Sequence, residues 1–173
     1  MASRALYRQM TRKEDNNGVK LWADEVYRFA VHCCGDSECA KDGVQEAFAS
    51  LWEHRDSVAE TKGKGFLLTC VHHWAMSLHR HRKVHEENRL DMAGASTTGP
   101  DMRFDLREAL QHAAARLPEI QRSALLLKDL EGYSCHEIAE ILHVDEKQVS
   151  VYLYRARVSM RKTLIALGYD NNN

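Results

Sequence analysis

Five basic side chains, Lys147, Arg155, Arg157, Arg161 and Lys162, fall within one short stretch, 147–162, that contains no acid. Cations without offsetting charge suit one task well, the neutralisation of phosphates along a nucleic-acid backbone. In the same stretch Val149, Leu153, Ala156 and Met160 recur at i, i+4, i+7 and i+11. A helix here therefore buries one side, at about 1.5–3 kcal/mol for each larger side chain, and leaves its other side for the cations.

The elements that would position this helix lie just upstream. Ser134, Cys135, His136 and Glu137 form an S-x-x-E capping box, in which a hydroxyl and a carboxylate each satisfy an orphan amide at a helix start. Ile138, Ile141 and Leu142 supply the apolar face of a short helix. Leu142-His143-Val144-Asp145 leaves room for a turn of only three or four residues before Asp145, with Gln148 three places on, caps the longer helix. This is the order of a helix-turn-helix. Two packed helices of any bundle with a solvated basic face would read the same way, so the flanks matter. They are Leu117-Pro118 followed by Ile120, Leu125, Leu126 and Leu127, then Asp129-Leu130-Glu131-Gly132-Tyr133. Pro118 suits a first helical position and Gly132 a helix stop.

Taken together, Leu117-Pro118-x-x-x-Arg122, Glu131-Gly132-Tyr133-Ser134, Glu137-Ile138-Ala139-Glu140-Ile141-Leu142, Val149 and Arg155-Ala156-Arg157 resemble region 4 of the extracytoplasmic-function (ECF) sigma factors, small bacterial members of the sigma-70 family. Several separate motifs in the right order and spacing carry the likeness. It implies a domain that reads the minus-35 promoter element through Lys147, Gln148, Ser150, Val151, Tyr154 and Arg155. Where the family often has Thr and Lys or Arg around Val149, this chain has Gln148, Ser150, Val151 and Tyr152. Gln can pair bidentately with adenine and Tyr can meet a phosphate or stack, so an unusual minus-35 preference is expected.

A second set of candidate residues lies nearer the start. Trp22, Val26, Phe29 and Cys33 repeat at helical spacing as far as Gly35, and Asp36 or Ser37 can cap a successor. From Glu38 to His54 that successor places Val44, Ala47, Phe48 and Leu51 on its buried face. Asp42, Gln45, Glu46, Ala49 and Glu53 fall on or near the opposite face, with Trp52 at the border. Val26-Tyr27-Arg28-Phe29-Ala30, Gly35-Asp36 and Asp42-x-x-Gln45-Glu46-Ala47-Phe48-x-x-Leu51-Trp52 resemble ECF region 2. In that family the exposed side of the second helix binds the clamp helices of the RNA polymerase β′ subunit. The resemblance thus assigns core binding to Asp42, Gln45, Glu46 and Trp52. A solvated helix face explains the charges equally well and the aromatic less well, since Trp is enriched at interfaces.

Thr61-Lys62-Gly63-Lys64-Gly65 reads as a flexible basic loop and lacks the G-x-x-x-x-G-K-[ST] spacing of a phosphate-binding P-loop. Phe66, Leu67, Leu68, Val71, Trp74, Ala75 and Leu78 then mark a helix that runs into His79-Arg80-His81-Arg82-Lys83. By similarity this part opens and reads the minus-10 element, through Lys62, Lys64, Phe66, His73, Trp74, Arg80, Arg82 and Lys83. Basic groups would hold the non-template strand while aromatics accept an unstacked base. Phe66 stands where Trp is usual, His73 where Asn is usual and Ser77 where Asp is common. A neutral His offers one donor and one acceptor on a rigid ring, so an altered minus-10 preference is expected.

The composition is compatible with this reading. The chain has 173 residues, 44% of them hydrophobic, enough for two small cores, and a net charge of -1. That total hides segregation. Residues 36–60 carry Asp36, Glu38, Asp42, Glu46, Glu53, Asp56 and Glu60 against Lys41 and Arg55, whereas residues 61–85 carry Lys62, Lys64, Arg80, Arg82 and Lys83 with five His and no acid. Separate acidic and basic surfaces follow. Met1-Ala2-Ser3-Arg4-Ala5-Leu6 has no apolar core of a signal peptide, and no run approaches the ~20 apolar residues of a membrane span, so a cytoplasmic protein is expected. The five cysteines then read as reduced thiols; Cys33, Cys34 and Cys39 beside His32 lack a paired C-x-x-C, and no metal or other cofactor is expected.

Without a sustained alternating pattern the fold is expected to be all-α, with two small helical domains joined by a flexible linker, the C-terminal one a helix-turn-helix four-helix domain. The boundaries are a tail over 1–19, a region 2-like domain over 20–85, a linker rich in small and polar residues over 86–104, and a region 4-like domain over 105–168, opened by Leu106, Leu110, Ala113 and Leu117 at helical spacing. The functional expectation is an ECF-type sigma factor that binds RNA polymerase core through the β′ clamp helices and the β subunit, directs initiation at promoter DNA and is held by an anti-sigma factor. The alternative is a free-standing helix-turn-helix regulator, which leaves the Asp42 to Trp52 motif unexplained. No nucleophile, base and orienting residue match a known spacing, so no enzyme is expected.

Overall fold

The computed structural model describes residues 15–54, 56–90 and 105–169, with the side chains of 15–21, 60 and 82–90 left aside. The described residues are all helix and turn: α1 (Asp15–Cys34), α2 (Ser37–Glu53), a 3-10 turn (Glu60–Lys62), α3 (Gly63–Leu90), α4 (Leu106–Ala115), α5 (Glu119–Asp129), α6 (Cys135–Leu142) and α7 (Glu146–Ala166). The chain divides into two compact units, Met1–Trp74 and Ala75–Asn173. Of the tail expected over 1–19, residues 15–19 belong to α1, because Asn16-Asn17-Gly18 continues the helix and does not turn the chain, and 1–14 lie outside the described residues.

In the first unit α1 packs along α2. Asp36 starts α2 by accepting from the backbone N–H groups of Glu38 and Cys39 at 3.3 and 3.2 Å, which satisfies two orphan donors. Val26, Phe29, Ala30, Cys33 and Cys34 of α1 are buried. Cys33 thus continues the apolar stripe as its spacing predicts. The buried line of α2 differs from expectation. Ala40, Gly43 and Ala47 are innermost, while Val44, Phe48 and Leu51 are half-buried. Small residues at the contact let the neighbouring helices approach, and the larger side chains then flank that seam. From α3, Leu67, Leu68 and Val71 complete the core, with His72 also buried.

The segment read as a flexible basic loop is ordered secondary structure. The 3-10 turn hands directly to α3, whose first residue, Gly63, is buried where a Cβ would lie 3.2 Å from the Trp22 ring. Lys64 bonds Glu25 of α1 at 3.1 Å. Gly63 therefore serves packing rather than flexibility. At its other end α3 runs to Leu90, so 86–90 of the expected linker are helical and 91–104 lie outside the described residues. Glu86-Glu87-Asn88-Arg89-Leu90 contains no Gly or Pro to stop the helix; the first such breaker is Gly94.

In the second unit α7 packs against α4, α5 and α6. Its core is Ala109, Ala113, Leu117, Ala124, Leu126, Leu127, Ile138, Ile141, Leu142, Val149, Leu153 and Ala156. Leu106 and Leu110, expected inside, are exposed, and Ala109 takes the buried position in their stead. Pro118 sits at the N-cap of α5, one place before the position expected. Gly132 ends the turn after α5 with φ +77, the left-handed region that glycine enters at least cost, and the capping box forms as read: Glu137 N–H donates to Ser134 Oγ at 3.2 Å and Ser134 N–H to Glu137 Oε2 at 2.8 Å.

Candidate functional site

On α7 the residues expected to read DNA gather on one side. Lys147, Gln148, Ser150, Val151, Tyr154 and Arg155 are all exposed, and at 3.6 residues per turn they span an arc of about 160° opposite the buried Val149, Leu153 and Ala156. Tyr154 is 71% exposed and Val151 44%, which leaves an aromatic and a β-branched side chain for base edges or sugar. Gln148 has a second duty. Its Oε1 accepts from Asp145 N–H at 3.0 Å at the helix start, so its Nε2 donors are what remain for a base.

The basic face is not uniform. Arg155, Arg161 and Lys162 are exposed, but Arg157 reaches across to Asp129 of α5, with Nη2 donating to Oδ1 at 2.7 Å and Nε to Oδ2 at 3.4 Å. The Asp129 hydrogen bond raises the guanidinium pKa above its ordinary value. An acid distant in sequence thus offsets one of five cations that the local sequence left unopposed. Both partners are well exposed, so the pair contributes under about 1 kcal/mol to stability. Lys128, Cys135, Tyr154, Arg157, Val158 and Arg161 line a shallow groove beside this face.

Arg122, quoted above only as part of a motif, is buried at 5% exposure. Its Nε donates to Ala114 O at 2.9 Å, and its Nη2 to Ala115 O at 2.7 Å and Leu117 O at 3.1 Å. The guanidinium thereby serves the carbonyls where α4 ends, sharing that of Ala114 with the Leu117 N–H, and ties that end to α5.

On α2 the four expected core-binding residues also share a side. Asp42, Gln45 and Glu46 are exposed, Trp52 is 66% exposed, and the four span about 120° of the helix. An exposed tryptophan on the same helix side as two carboxylates offers apolar area together with negative charge.

On α3 the expected residues separate. Phe66, His73 and Arg80, with Ser77, recur at i, i+7, i+11 and i+14 within an arc of about 60° that faces away from Leu67, Leu68 and Val71. His73 and Arg80 are exposed, and the half-buried Phe66 ring lies 5.8 Å from that of His54. Lys62, on the 3-10 turn, is exposed. Lys64 instead turns to Glu25, and Trp74 turns its indole edge to Gly43, where a Cβ would lie 2.5 Å from Cδ1. The side chains of Arg82 and Lys83 lie outside those described. Cys70 is half-buried, which raises its thiol pKa above the ordinary value.

With these surfaces in view, comparison decides the family. Residues 19–84 match Sigma-70 region 2 and residues 107–160 match Sigma-70, region 4. The ECF RNA polymerase sigma factor SigM of Mycobacterium tuberculosis (strain ATCC 25618 / H37Rv) is 31% identical over 157 residues, covering 85% of this chain and 74% of the relative. The chain belongs to the ECF sigma factors of the sigma-70 family. The ECF sigma factor SigM of Bacillus subtilis (strain 168) is 25% identical over 146 residues, 82% of this chain and 90% of the relative. The sigma factor RpoE of Bartonella quintana, solved with the anti-sigma factor NepR, shares the fold with a TM-score of 0.69 at 22% identity, over 88% of this chain and 97% of that one.

Three contributors to these ECF surfaces escaped the sequence reading. Asp129 and Glu25 each pair with a cation from a different helix, and neither has a local signal. Gly43 did have one: a glycine in the middle of a helix costs about 0.5–1 kcal/mol relative to Ala and so points to a close packing partner. No helix among the described residues is long and apolar enough to cross a membrane.

Proposed function

We propose that this chain is a specificity subunit of RNA polymerase: it binds the core enzyme through α2, reads the minus-35 element with α7 and the minus-10 element with the outer stripe of α3, and so directs promoter-specific initiation. One observation carries the reading. A single chain presents both an acidic, aromatic helix face of region 2 and a basic recognition helix of region 4. A free-standing regulator has use for only the second.

The assignments follow the surfaces. Asp42, Gln45, Glu46 and Trp52 meet the β′ clamp helices, and region 4 also engages the β subunit. Lys147, Gln148, Ser150, Val151, Tyr154 and Arg155 face the minus-35 duplex. Lys62, Phe66, His73 and Arg80, with Arg82 and Lys83 further along the helix, meet the opened minus-10 strand. Work is done by binding energy and not by a catalytic group, in the cytoplasm where polymerase resides. An anti-sigma factor holds the protein when it is idle, as NepR is bound to the structurally similar RpoE. Residues 20–85 and 105–168 act as the two recognition domains.

The test is co-purification with polymerase core followed by transcription from candidate promoters. The native chain is expected to bind core, and a double reversal, Asp42→Lys with Glu46→Lys, to lose about 100-fold or more in affinity, since each introduces like charge at a rim made for opposite charge. If neither form binds core while the native chain alone shifts duplex DNA, the regulator reading replaces this one.

A further inference from the structure

Gly43 lies on the buried line of α2 between Asp42 and the pair Gln45 and Glu46. A Cβ at this position would lie 2.5 Å from Cδ1, 2.8 Å from Nε1 and 3.1 Å from Cγ of Trp74. The five-membered edge of the indole therefore occupies the notch that the missing side chain leaves. That edge is the near, rigid end of a side chain with two torsions, so an added methyl has no flexible tip to push aside. Either the whole ring or α3 itself must move.

The same contact is costly in another respect. Nε1 of Trp74 is buried there and has no hydrogen-bond partner. Phe or Leu would fill apolar space without that penalty, so the tryptophan's size and shape at this point offset an unmet donor. Trp74 follows His73 of the outer α3 stripe directly, and Gly43 follows Asp42 of the α2 face directly. One packing contact thus ties a residue of each functional surface to the other.

We infer that Gly43 and Trp74 are a size-matched pair that sets the spacing of the promoter-opening helix against the core-binding helix, which makes Trp74 a positioning residue for minus-10 opening and not a contact to the unstacked base. The inference rests on the sigma reading for its functional half. Its packing half stands on the free chain alone.

The experiment compares the full chain in four forms: native, Gly43→Ala, Trp74→Leu and the double variant. Thermal unfolding is measured without polymerase, affinity is measured for core, and opening is read as permanganate reactivity of unpaired thymines at saturating holoenzyme on a promoter the native form opens. Each single variant is expected to slow opening about 10- to 100-fold per core-bound molecule, as a displacement of about 1 Å does at a positioned site, while core affinity stays within about threefold. The double variant should recover to within about threefold of native, because the smaller side chain makes room for the methyl and the two changes are not additive.

A double variant that opens no better than Trp74→Leu would overturn the inference in favour of direct base contact. So would opening that follows only the folded fraction of each form. If Gly43→Ala alone does not fold, the double variant against Trp74→Leu still decides, and a double variant that also fails to fold refutes size matching. A native chain that binds no core defeats the sigma reading separately, whereas additive unfolding effects at 43 and 74 defeat the packing claim without touching it.

Discussion

At the scale of the residue, Arg122 shows how one side chain holds a helix junction. The carbonyls of Ala115 and Leu117 accept from a single buried guanidinium, which also shares the Ala114 carbonyl with the Leu117 N–H. Arg122→Ala should destabilise the chain by about 2–4 kcal/mol, because it leaves buried acceptors unsatisfied and opens a cavity. Arg122→Lys should regain less than half of that, since one ammonium cannot present the planar fork that serves carbonyls on both sides. Urea denaturation of the full chain checks both. In the sequence Arg122 was visible only as a motif member, and its role was not, because the spacing of a motif does not say which carbonyls the fold will bring to it. Gly43 is the complementary case, where an absence of side chain carries the information.

At the scale of the element, the helices and their ends were legible and their faces were so only in part. Caps are local chemistry: Asp36, the Ser134 and Glu137 pair and Gln148 bond amides within three residues of themselves, so sequence suffices to find them. Burial is not local. Leu106 and Leu110 fit a helical stripe and still face water, because Ala109 and Ala113 are the residues that α7 covers. The cations of α7 divide for the same reason. Arg155 has no acid brought against it in the recognition face as described, whereas Arg157 is bridged to Asp129. Holoenzyme binding to promoter DNA should therefore lose about one unit of salt slope on Arg155→Ala and distinctly less on Arg157→Ala. Filter binding over a salt series distinguishes them, and equal slopes for both variants would mean that the Asp129 pair opens on DNA.

At the scale of the whole molecule, a net charge of -1 conceals an acidic face on α2 and a basic one on α7, each suited electrostatically to a surface of opposite sign. Association with core should therefore slow by about tenfold between about 0.05 and 0.5 M salt even though the chain is nearly neutral overall, because the local fields, and not the total charge, steer encounter. A stopped-flow association rate that does not change over that range would place the binding energy on exposed Trp52 instead. The sequence by itself determined the helical class, the order of the elements, their caps, and the residues of region 2 and region 4 that mark the family, since these rest on periodicity, capping and spacing within a few residues. Only the tertiary structure decided that Lys64 answers to Glu25, Arg157 to Asp129 and Trp74 to the notch at Gly43, and that Gly63 begins a helix where the local sequence predicts a flexible loop. Each of those depends on which side chains meet from distant parts of the chain, and a pairing energy of that kind leaves no periodic trace along either partner's own sequence.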